Sequence, residues 1–443
     1  TRIFTMTDCT SNHIAFSPLN RRKLHGDFNG GCVTSNAGAL LLRETDLSCE
    51  LVKNLASCIH DERKQSFVDH SVEDLLRQRV YGLALGYEDV NDHDELRRDM
   101  AFQTAINRET TLAGHSTLSR FENSVTRSDC VRMQEKMVEH FIQKHTAPPK
   151  ELILDFDPTD AKLYGAQQQK YYHGYYGDYC YFPLHVFCGD DLLVSYLRPC
   201  NIDGSKHAGA ILKLLVKRFK EVWPKVNIIF RGDGAFARKH ILYWCENNNV
   251  TYITGMSSNS ILKKEAAALC SQAEQQYNET EVKQRLFGEI QYSAQSWSCK
   301  RRIIYKSEHH EHGSNLRFIV TNISCENPQD VYDKKYCLRG EMENKIKQQK
   351  LDLASGRMSC HHFIANQFRI LLSGVAYILI NDLREKALAG TKLARAYCQT
   401  IRLKLFKIGA VVIKNTRRIR YYFSEHHPHQ ALFRAAMLRL RPS

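Results

Sequence analysis

Hydrophobic and polar positions follow different periods along the chain, and the change falls near residue 150. Between residues 36 and 145, apolar residues recur at helical spacing in segments such as AGALLLRETD and SVEDLLRQRVYGLALG. This pattern predicts a helical N-terminal region. From residue 151 onward, the apolar runs become short and end in acids or turn residues, as buried strands do.

The middle of the chain predicts a mixed sheet. ELILDFD has the pattern of a buried strand, and YCYFPLHVFCGDDLLVSYLRP alternates around Gly189, which indicates a hairpin. The next four segments predict a helix, a strand, a helix and a strand: KHAGAILKLLVKRFKEVW, VNIIFRGD, ARKHILYWCENN and VTYITGM. A hairpin followed by α–β–α–β is typical of parallel crossovers added to antiparallel strands. We therefore expect an α/β fold.

Two later segments depart from this alternation of strands and helices. Residues 258–315 interrupt it with strand-like sequence such as SWSCKRRIIYKSE, and we interpret them as an inserted β-rich segment. The run ILLSGVAYILI near residues 370–380 is too short to span a bilayer and is broken by polar residues, so it predicts a buried helix.

Charge changes the picture. The chain of 443 residues carries a formal net charge of +14 with a pI of about 9.1, which favours a polyanionic partner. Residues 391–443 contain twelve Lys and Arg against the single acid Glu425, which gives this tail a charge of +11. Three of its arginines lie in the strand-like segment IKNTRRIRYYFS and are expected to contact that partner: Arg417, Arg418 and Arg420. A basic surface that only aids solubility is the alternative.

Cysteine and histidine usage bears on the compartment. The fifteen cysteines include no CxxC pair, so neither a zinc ribbon nor a redox dithiol is indicated. Free thiols in this number fit a reducing compartment, and no signal peptide is visible, so we expect a cytoplasmic protein. The histidine clusters at 309–312 and 426–429 lack partner cysteines and are interpreted as loop residues.

The segment YCLRGEMENKIKQQK, residues 336–350, predicts a helix with one charged face. At about 100° per residue, four side chains fall within an arc of roughly 60°: Tyr336, Arg339, Glu343 and Lys350. Glu341 falls on the opposite side. A solvated helix with chance spacing is the alternative.

Acids also follow two of the predicted strands. Asp155 and Asp157 end the first strand on one face by alternation, and Asp233 directly follows the second. If the strands are neighbours and the charged helix packs on them, three carboxylates converge and repel each other unless divalent cations neutralise them. Oxygen ligands favour Mg²⁺ or Mn²⁺, and two such ions about 3.5–4 Å apart suit in-line displacement at a phosphodiester. Asp233 as an ordinary turn residue is the alternative.

These motifs together resemble the DDE transposases of bacterial insertion sequences. The helix matches the signature Y-(2)-R-(3)-E-(6)-K at every position, while DFDPTD and FRGDGAF resemble the two aspartate strands of the family. FNGGCVTSNAGALLLRETD, LLRQRVYGLALGYEDVNDHDELRRD and NIDGSKHAGA resemble one branch of these enzymes. One departure is Gly340, at a position that is often tryptophan in related enzymes.

The resemblance implies roles for individual residues. Asp157, Asp233 and Glu343 would form the catalytic triad and hold two Mg²⁺ ions, with Mn²⁺ as a substitute. Asp157 is preferred over Asp155 because Thr159, a small hydroxyl residue, follows it closely. Contacts to the transposon end are implied for three residues of the helix: Tyr336, Arg339 and Lys350.

The resemblance also implies an architecture: an RNase H-like mixed sheet with helices on both faces, a β-rich insertion and an all-helical N-terminal domain. The protein would act as a homodimer on double-stranded DNA, namely paired terminal inverted repeats and a target. We expect five regions: a helical DNA-binding and dimerisation region (1–150), the first part of the catalytic core (151–257), the insertion (258–315), the second part of the core (316–390) and a basic DNA-contacting region (391–443).

The implied activity is cut-and-paste transposition, in which metal-dependent hydrolysis at the element ends precedes strand transfer by the freed 3′ hydroxyl. A DNA-binding regulator derived from a transposase and a non-transposing RNase H-like nuclease are the alternatives. The intact triad with its charged helix face argues against the regulator. The long helical N-terminus argues against the nuclease.

Trp297, in SAQSWSCKRR, has two interpretations. Flanked by basic residues, it could stack on a base pulled from the duplex during end cleavage. Alternatively, it anchors the inserted strands as part of their core. The sequence leaves both interpretations open.

Overall fold

The computed structural model describes residues 14–441, so the outermost residues of the first and last expected regions lie outside the described residues. Its strands, in chain order, are β1 Ile14–Leu19, β2 Arg22–Gly26, β3 Val33–Thr34, β4 Glu151–Pro158, β5 Ala161–Lys162, β6 Tyr171–His173, β7 Asp178–Tyr181, β8 Leu184–Cys188, β9 Asp191–Tyr196, β10 Asn227–Gly232, β11 Thr251–Met256, β12 Gln284–Tyr292, β13 Arg301–His310, β14 Gly313–Thr321, β15 Ala410–Asn415 and β16 Arg418–Phe423.

Helices occupy much of the remaining chain. The α-helices are α1 Ala39–Cys49, α2 Leu51–Ala56, α3 Val72–Leu85, α4 His93–Leu96, α5 Met100–Ala105, α6 His115–Ser124, α7 Arg127–Gln143, α8 Ala208–Val222, α9 Lys239–Asn247, α10 Ser260–Thr280, α11 Pro328–Asp330, α12 Gly340–Lys347, α13 Phe363–Lys386, α14 Cys398–Ile401 and α15 Gln430–Leu440. Tighter 3₁₀ turns form at Gln65–Phe67, Gly234–Phe236 and Cys337–Arg339, and wider π turns at Val331–Tyr336, Gln348–Asp352 and Arg402–Phe406.

An eight-stranded mixed sheet forms the centre of the fold, with strand order β12-β13-β14-β11-β10-β4-β8-β9. Strands β4, β10 and β11 run parallel to one another, and the remaining neighbours pair antiparallel. The predicted hairpin is β8–β9, and the predicted crossovers run through α8 and α9. The mixed α/β sheet expected from the sequence is therefore confirmed.

Alternation along the strands gives the sheet two apolar faces. Phe156 and Phe230 point to a core shared with α8 and α9, as the period-two pattern requires. Ile229 and Ile253 point the other way and pack against Val331 of the helical segment 328–352. Helices therefore cover both faces, and the face toward 328–352 is the one that carries the acids of β4.

Helix α13 lies in the centre of the protein. Its 24 residues include the run predicted as a buried helix, and nearly all of them are buried. By length and hydropathy this helix could cross a membrane, but 89% of its most apolar window is buried inside the protein. The prediction of a buried core helix is confirmed.

One hydrophobic core joins the N-terminal helices, α13 and the C-terminal tail. The cluster extends from Ala39 through α3 and α13 to Phe406 and Leu440. Chain packing at this junction is close, because a Cβ on Gly38 would lie 1.9 Å from the carbonyl oxygen of Leu405. The basic tail is therefore part of the folded core and not an appendage to it.

The N-terminal region is not all-helical, which corrects the sequence prediction. Strands β1 and β2 form a hairpin, and β3 pairs antiparallel with β15 in a separate three-stranded sheet. Asn20 allows the tight hairpin turn because it adopts a φ of 56°, a left-handed conformation that asparagine tolerates. The helical prediction began at residue 36 and holds only from α1 onward.

The insertion is not purely β-rich either. It begins with the 21-residue helix α10, whose N-terminus is capped by Asn259, because the Asn259 side chain accepts a hydrogen bond from the Leu262 amide. Strands β12, β13 and β14 then continue the central sheet, because β14 pairs with β11. The segment therefore extends the main sheet and does not form a sheet of its own.

Candidate active site

Asp157 and Asp233 lie side by side at the end of two parallel strands. Strand β4 pairs with β10 in a register that places Phe156 opposite Gly232, so the next residues, Asp157 and Asp233, emerge at the same sheet edge. Asp233 also caps the following turn, because its Oδ1 accepts a hydrogen bond from the Ala235 amide at 2.9 Å. The turn role and a ligand role are compatible, since the second carboxylate oxygen does not take part in this bond.

The charged helical segment packs over these aspartates. Arg339 Nη1 donates a hydrogen bond to Asp157 Oδ1 at 3.1 Å, and its Nη2 lies 3.9 Å from Glu343 Oε1. Lys350 Nζ donates to Asp160 Oδ1 at 2.8 Å and to Thr159 Oγ1 at 3.3 Å. The segment therefore turns the predicted charged face toward the end of β4.

The helix is less regular than the sequence pattern assumed. Segment 328–352 passes from α to π to 3₁₀ to α and again to π geometry, so a constant 100° per residue does not apply. Tyr336 ends the first π turn, Arg339 ends the 3₁₀ turn and Glu343 lies in α12. The predicted face nevertheless points to the sheet, because Arg339 contacts Asp157 and Lys350 contacts Asp160.

Electrostatics link the three predicted carboxylates. Burial raises the pKa of Asp157 to about 7; Arg339 opposes this shift, and the negative charges of Asp233 and Glu343 add to it. Glu343 is itself 56% exposed at its side chain, so it faces the open side of the cluster. A buried carboxyl facing two others has an unfavourable charge unless a cation is near.

Arg339 provides that positive charge in the structure. Its guanidinium lies between Asp157 and Glu343, where it pairs with both. In the described part of the chain, the potential metal ligands whose atoms all lie within 4.8 Å of one another are those of Cys49, His140 and Asp382. The carboxylates of the triad are therefore spaced more widely than these ligands. The carboxylate oxygens already hold one positive charge, that of Arg339. Oxygen ligands of this kind suit a divalent metal ion.

The group at Cys49, His140 and Asp382 has a different character. His140 Nε2 hydrogen-bonds to Asp382 Oδ2 at 2.7 Å, and Lys144 Nζ lies 3.3 Å from the other carboxylate oxygen. Lys144 also pairs with Asp191 and Glu385, and burial raises the pKa of the Cys49 thiol. This cluster joins side chains of α1, α7 and α13.

Asp155 is occupied elsewhere. It is buried and accepts two hydrogen bonds from Arg231 on the neighbouring strand, at 2.5 and 2.7 Å. The same guanidinium donates to the carbonyl oxygen of Lys335, next to Tyr336. Arg231 therefore fixes the helical segment to the sheet, a positioning role that the sequence did not indicate because it depends on strand register.

Gly255 is a second residue that sequence reasoning missed. A Cβ there would lie 2.7 Å from Tyr336 Oη and 2.8 Å from the amide nitrogen of Gly234. Strand β11 therefore approaches the Asp233 turn and Tyr336 so closely that only glycine, which has no side chain, fits at this position. Burial raises the pKa of Tyr336; the charge of Arg339 opposes this shift, and the charge of Asp233 adds to it.

Trp297 lies away from the carboxylates. It packs edge-on against Tyr292 with ring centroids 5.9 Å apart, and the Arg301 guanidinium lies 4.8 Å from its ring centre. Arg301 in turn pairs with Glu246 at the end of α9, beside the start of β11, whereas Asp233 lies near the end of β11. The structure therefore does not bring Trp297 to the triad, and its packing favours the core interpretation.

The three arginines of the tail form a group of their own. Arg417 lies in the turn between β15 and β16, and Arg418 and Arg420 lie on one face of β16. All three are exposed, and the described part of the chain supplies no carboxylate partner for them. They remain available to an anionic partner at a site separate from the triad.

An α/β protein with acids at the ends of adjacent parallel strands, facing a charged helix, is typical of metal-dependent phosphoryl-transfer enzymes. A family model described as Transposase DDE domain group 1 matches residues 16–443, and the chain belongs to this family. Such transposases cleave DNA, transfer its strands and generally use divalent metal ions. The branch of bacterial insertion sequences is a finer assignment and stays a prediction.

A search of solved structures finds similarity to piggyBac transposase in a synaptic complex with hairpin DNA. The two chains are 14% identical with a TM-score of 0.40, and the alignment covers 83% of this chain and 80% of the other. No curated protein matches the sequence.

Proposed function

We propose that this transposase is a cut-and-paste enzyme of the bacterial insertion-sequence type. It cleaves DNA at the ends of its element and joins the freed 3′ hydroxyl to target DNA. The observation that carries the proposal is the meeting of Asp157, Asp233 and Glu343, with the Arg339 guanidinium paired to two of them. A regulator without cleavage activity has no need for such a cluster.

We propose that the catalytic core is RNase H-like. Support comes from the strand order β9-β8-β4-β10-β11, in which an antiparallel hairpin adjoins β4 and two parallel strands follow on the other side. In this arrangement two acids of the triad, Asp157 and Asp233, lie at the ends of β4 and β10. The third acid, Glu343, comes from the helical segment after the sheet.

The triad would hold two Mg²⁺ ions, or Mn²⁺ in their place, which when bound activate the attacking hydroxyl and stabilise the leaving oxygen. Asp157 and Asp233 offer oxygen ligands from a rigid sheet edge, which suits a fixed geometry. Asp155 is not available, because its two oxygens accept hydrogen bonds from Arg231.

The cations of the helical segment would bind the DNA backbone. Arg339 presents a planar guanidinium that matches phosphate as well as carboxylate, so a phosphate of the transposon end can replace Asp157 as its partner. Lys350 lies beside Thr159 and Asp160, a few residues past Asp157, and would contact the next phosphate. Tyr336 would add a hydrogen bond from its hydroxyl or a stacking contact.

Double-stranded DNA is the proposed partner, as terminal inverted repeats and as target. The net charge of +14 supports binding to a polyanion. A homodimer would pair the two element ends, and the protein would act in the cytoplasm, where chromosomal DNA of a bacterium lies. Arg417, Arg418 and Arg420 would add sequence-independent contacts.

Cleavage of the DNA that flanks the protein's own gene tests this function. Full-length protein is incubated with end-labelled flanking segments and Mg²⁺, and we expect strand breaks at a fixed position on each side. Asp157→Asn, Asp233→Asn and Glu343→Gln should each abolish the breaks and retain binding in a gel-shift assay. Glu341→Gln is the matched control and should cleave normally, because Glu341 is exposed and forms no ion pair with the described part of the chain.

Two outcomes would reject the proposal. If the wild-type protein binds the flanking segments but leaves them intact with both Mg²⁺ and Mn²⁺, the protein is a regulator. If Glu341→Gln loses cleavage while Glu343→Gln retains it, the third carboxylate of the triad has been assigned to the wrong residue.

A further inference from the structure

Exposed tyrosines gather in a small sheet that follows the catalytic strand. Strands β5, β7 and β6 form this three-stranded sheet, and we refer to residues 161–181 as the tyrosine sheet. Five of its tyrosines rank among the exposed large side chains of the described chain: Tyr164, Tyr171, Tyr172, Tyr175 and Tyr179. Tyr164 and Tyr175 are the most open of them, at 87% and 86% exposed. Clustered exposed aromatics of this kind mark a binding surface.

The sheet has an inner and an outer face. Cys180 is buried with Phe182 and Cys200, and half-buried Tyr176 packs against this small core. Tyr172 and Tyr179 are paired across the strands and point to the other side, where their rings meet edge to face at 5.6 Å. The outer face is therefore built of tyrosines held in place from below.

Basic side chains accompany these rings. Lys170 Nζ lies 4.7 Å from the centre of the Tyr179 ring. Asp178, the acid of β7, is paired with Lys162 at 3.1 Å, so it does not oppose an anionic ligand. An aromatic face with one lysine over a ring and its acid neutralised suits a ligand that has both flat rings and negative charge.

The tyrosine sheet adjoins the triad. Strand β5 begins four residues after Asp157, and Asp160, just before it, is held by Lys350 of the charged helical segment. Burial raises the pKa of Tyr176 to about 12, and the charges of Asp160 and Asp157 add to the shift, which places this ring within their electrostatic reach. The tyrosine sheet therefore neighbours the triad along the chain and through its inner face, and its outer face lies one strand layer away.

We propose that the tyrosine sheet binds unpaired nucleotides of the DNA strand beside the cleavage site, by stacking bases on Tyr172, Tyr175 and Tyr179. The inference rests on the proposed function, because only a DNA-cleaving site places a strand there. Bases within a duplex cover each other's faces, so a stacking surface selects nucleotides that have left the helix. Trp297, for which the sequence allowed a stacking role, lies between β12 and β13, at the opposite end of the central sheet.

Binding of single-stranded DNA tests the proposal without any need for cleavage. The full-length protein is titrated, in EDTA, against a fluorescein-labelled dT20 oligonucleotide and against a 20-base-pair duplex, with anisotropy as the readout. The variant Tyr172→Ala/Tyr179→Ala should bind dT20 about fivefold or more weakly and the duplex within about twofold of wild type. Tyr172→Phe/Tyr179→Phe should bind dT20 as wild type does, because the aromatic faces remain.

Tyr243→Ala is the matched control, since Tyr243 is an exposed tyrosine of α9 outside the tyrosine sheet and should leave dT20 binding unchanged. Melting curves of all variants identify any loss of folding, and the phenylalanine variant keeps the test valid if the alanine variant unfolds. Light scattering measures the oligomeric state of each variant.

Three results would overturn the proposal. Unchanged dT20 binding by the alanine variant would exclude stacking, and equal losses on dT20 and duplex would indicate backbone contacts only. A change in oligomeric state with dT20 binding intact would assign the surface to a second copy of the chain. If the wild-type protein bound neither DNA, the proposed function itself would fail, whereas normal binding by every variant would reject only the tyrosine sheet.

Discussion

Asp155 and Arg231 form a buried ion pair directly beneath the candidate active site. The carboxylate accepts hydrogen bonds from Nε and Nη2 of the guanidinium, and both side chains are only 6% exposed. Because Arg231 also donates to the carbonyl oxygen of Lys335, the pair connects β4, β10 and the segment that carries Arg339. The position of the charged helix depends on this connection.

Removal of Arg231 alone should be costly. Arg231→Ala leaves the Asp155 carboxylate buried without its partner, which is expected to lower the free energy of unfolding by about 3–5 kcal/mol. Thermal melting followed by circular dichroism measures the effect. The double variant Asp155→Leu/Arg231→Met removes both charges and should recover much of the loss. A double variant as unstable as Arg231→Ala would contradict this account.

Gly255 should tolerate no side chain. In Gly255→Ala the new Cβ would meet Tyr336 Oη and the Gly234 amide, so the Asp233 turn or the helical segment must move. A displacement of about 1 Å at a catalytic group costs roughly 100-fold in rate, and we expect a loss of that order in the cleavage assay.

Gly340→Ala is the matched control for this change. A Cβ at Gly340 would find nothing within 4 Å, and alanine favours the helical conformation that Gly340 already has at the start of α12. Cleavage by this variant should equal that of wild type. Normal cleavage by Gly255→Ala would show that the close approach of β11 is not needed.

The central strands are predictable from the sequence because each is a short apolar run with a clear end. ELILDFD, VNIIFRGD and VTYITGM form β4, β10 and β11, and the parallel order of these strands places Asp157 beside Asp233. Helix α10 escapes the prediction because strand-like sequence dominates the later part of its segment, although SILKKEAAALCSQAEQQ is rich in good helix formers.

Features that depend on register or on backbone geometry could not be predicted. The pairing of Asp155 with Arg231 requires that the two residues lie opposite each other, which follows only from the β4–β10 register. The glycine at 255 shows its importance only through the neighbours a Cβ would meet. The alternation of π, α and 3₁₀ turns in segment 328–352 likewise leaves no periodic signal in the sequence.

The exposed arginines of β16 and its turn should add salt-dependent affinity for any duplex. Replacement of Arg417, Arg418 and Arg420 by glutamate is expected to reduce the slope of log K against log salt by roughly one to three, since each phosphate contact contributes about 0.9. Anisotropy titrations at several salt concentrations measure the slope.

Charge reversal is preferred to deletion of the tail, because Leu405 and Phe406 belong to the main hydrophobic core. The triple Arg→Lys variant keeps the charge and should keep the slope. An unchanged slope in the glutamate variant would mean that β16 faces away from bound DNA.

Trp297 should act through stability and not through chemistry. Its ring packs against Tyr292 and beneath the Arg301 guanidinium, which is fixed by Glu246. Loss of one aromatic pair and one cation–π contact in Trp297→Ala should lower the free energy of unfolding by roughly 1–2 kcal/mol. Melting curves measure this loss, and the cleavage assay should then show first-strand and second-strand products reduced together.

Trp297→Phe keeps an aromatic ring and serves as the control. If Trp297→Ala instead melts as wild type does and stops after the first strand is cut, the tryptophan stacks on a flipped base, and DNA must reach the β12–β13 end of the sheet from another protomer's active site.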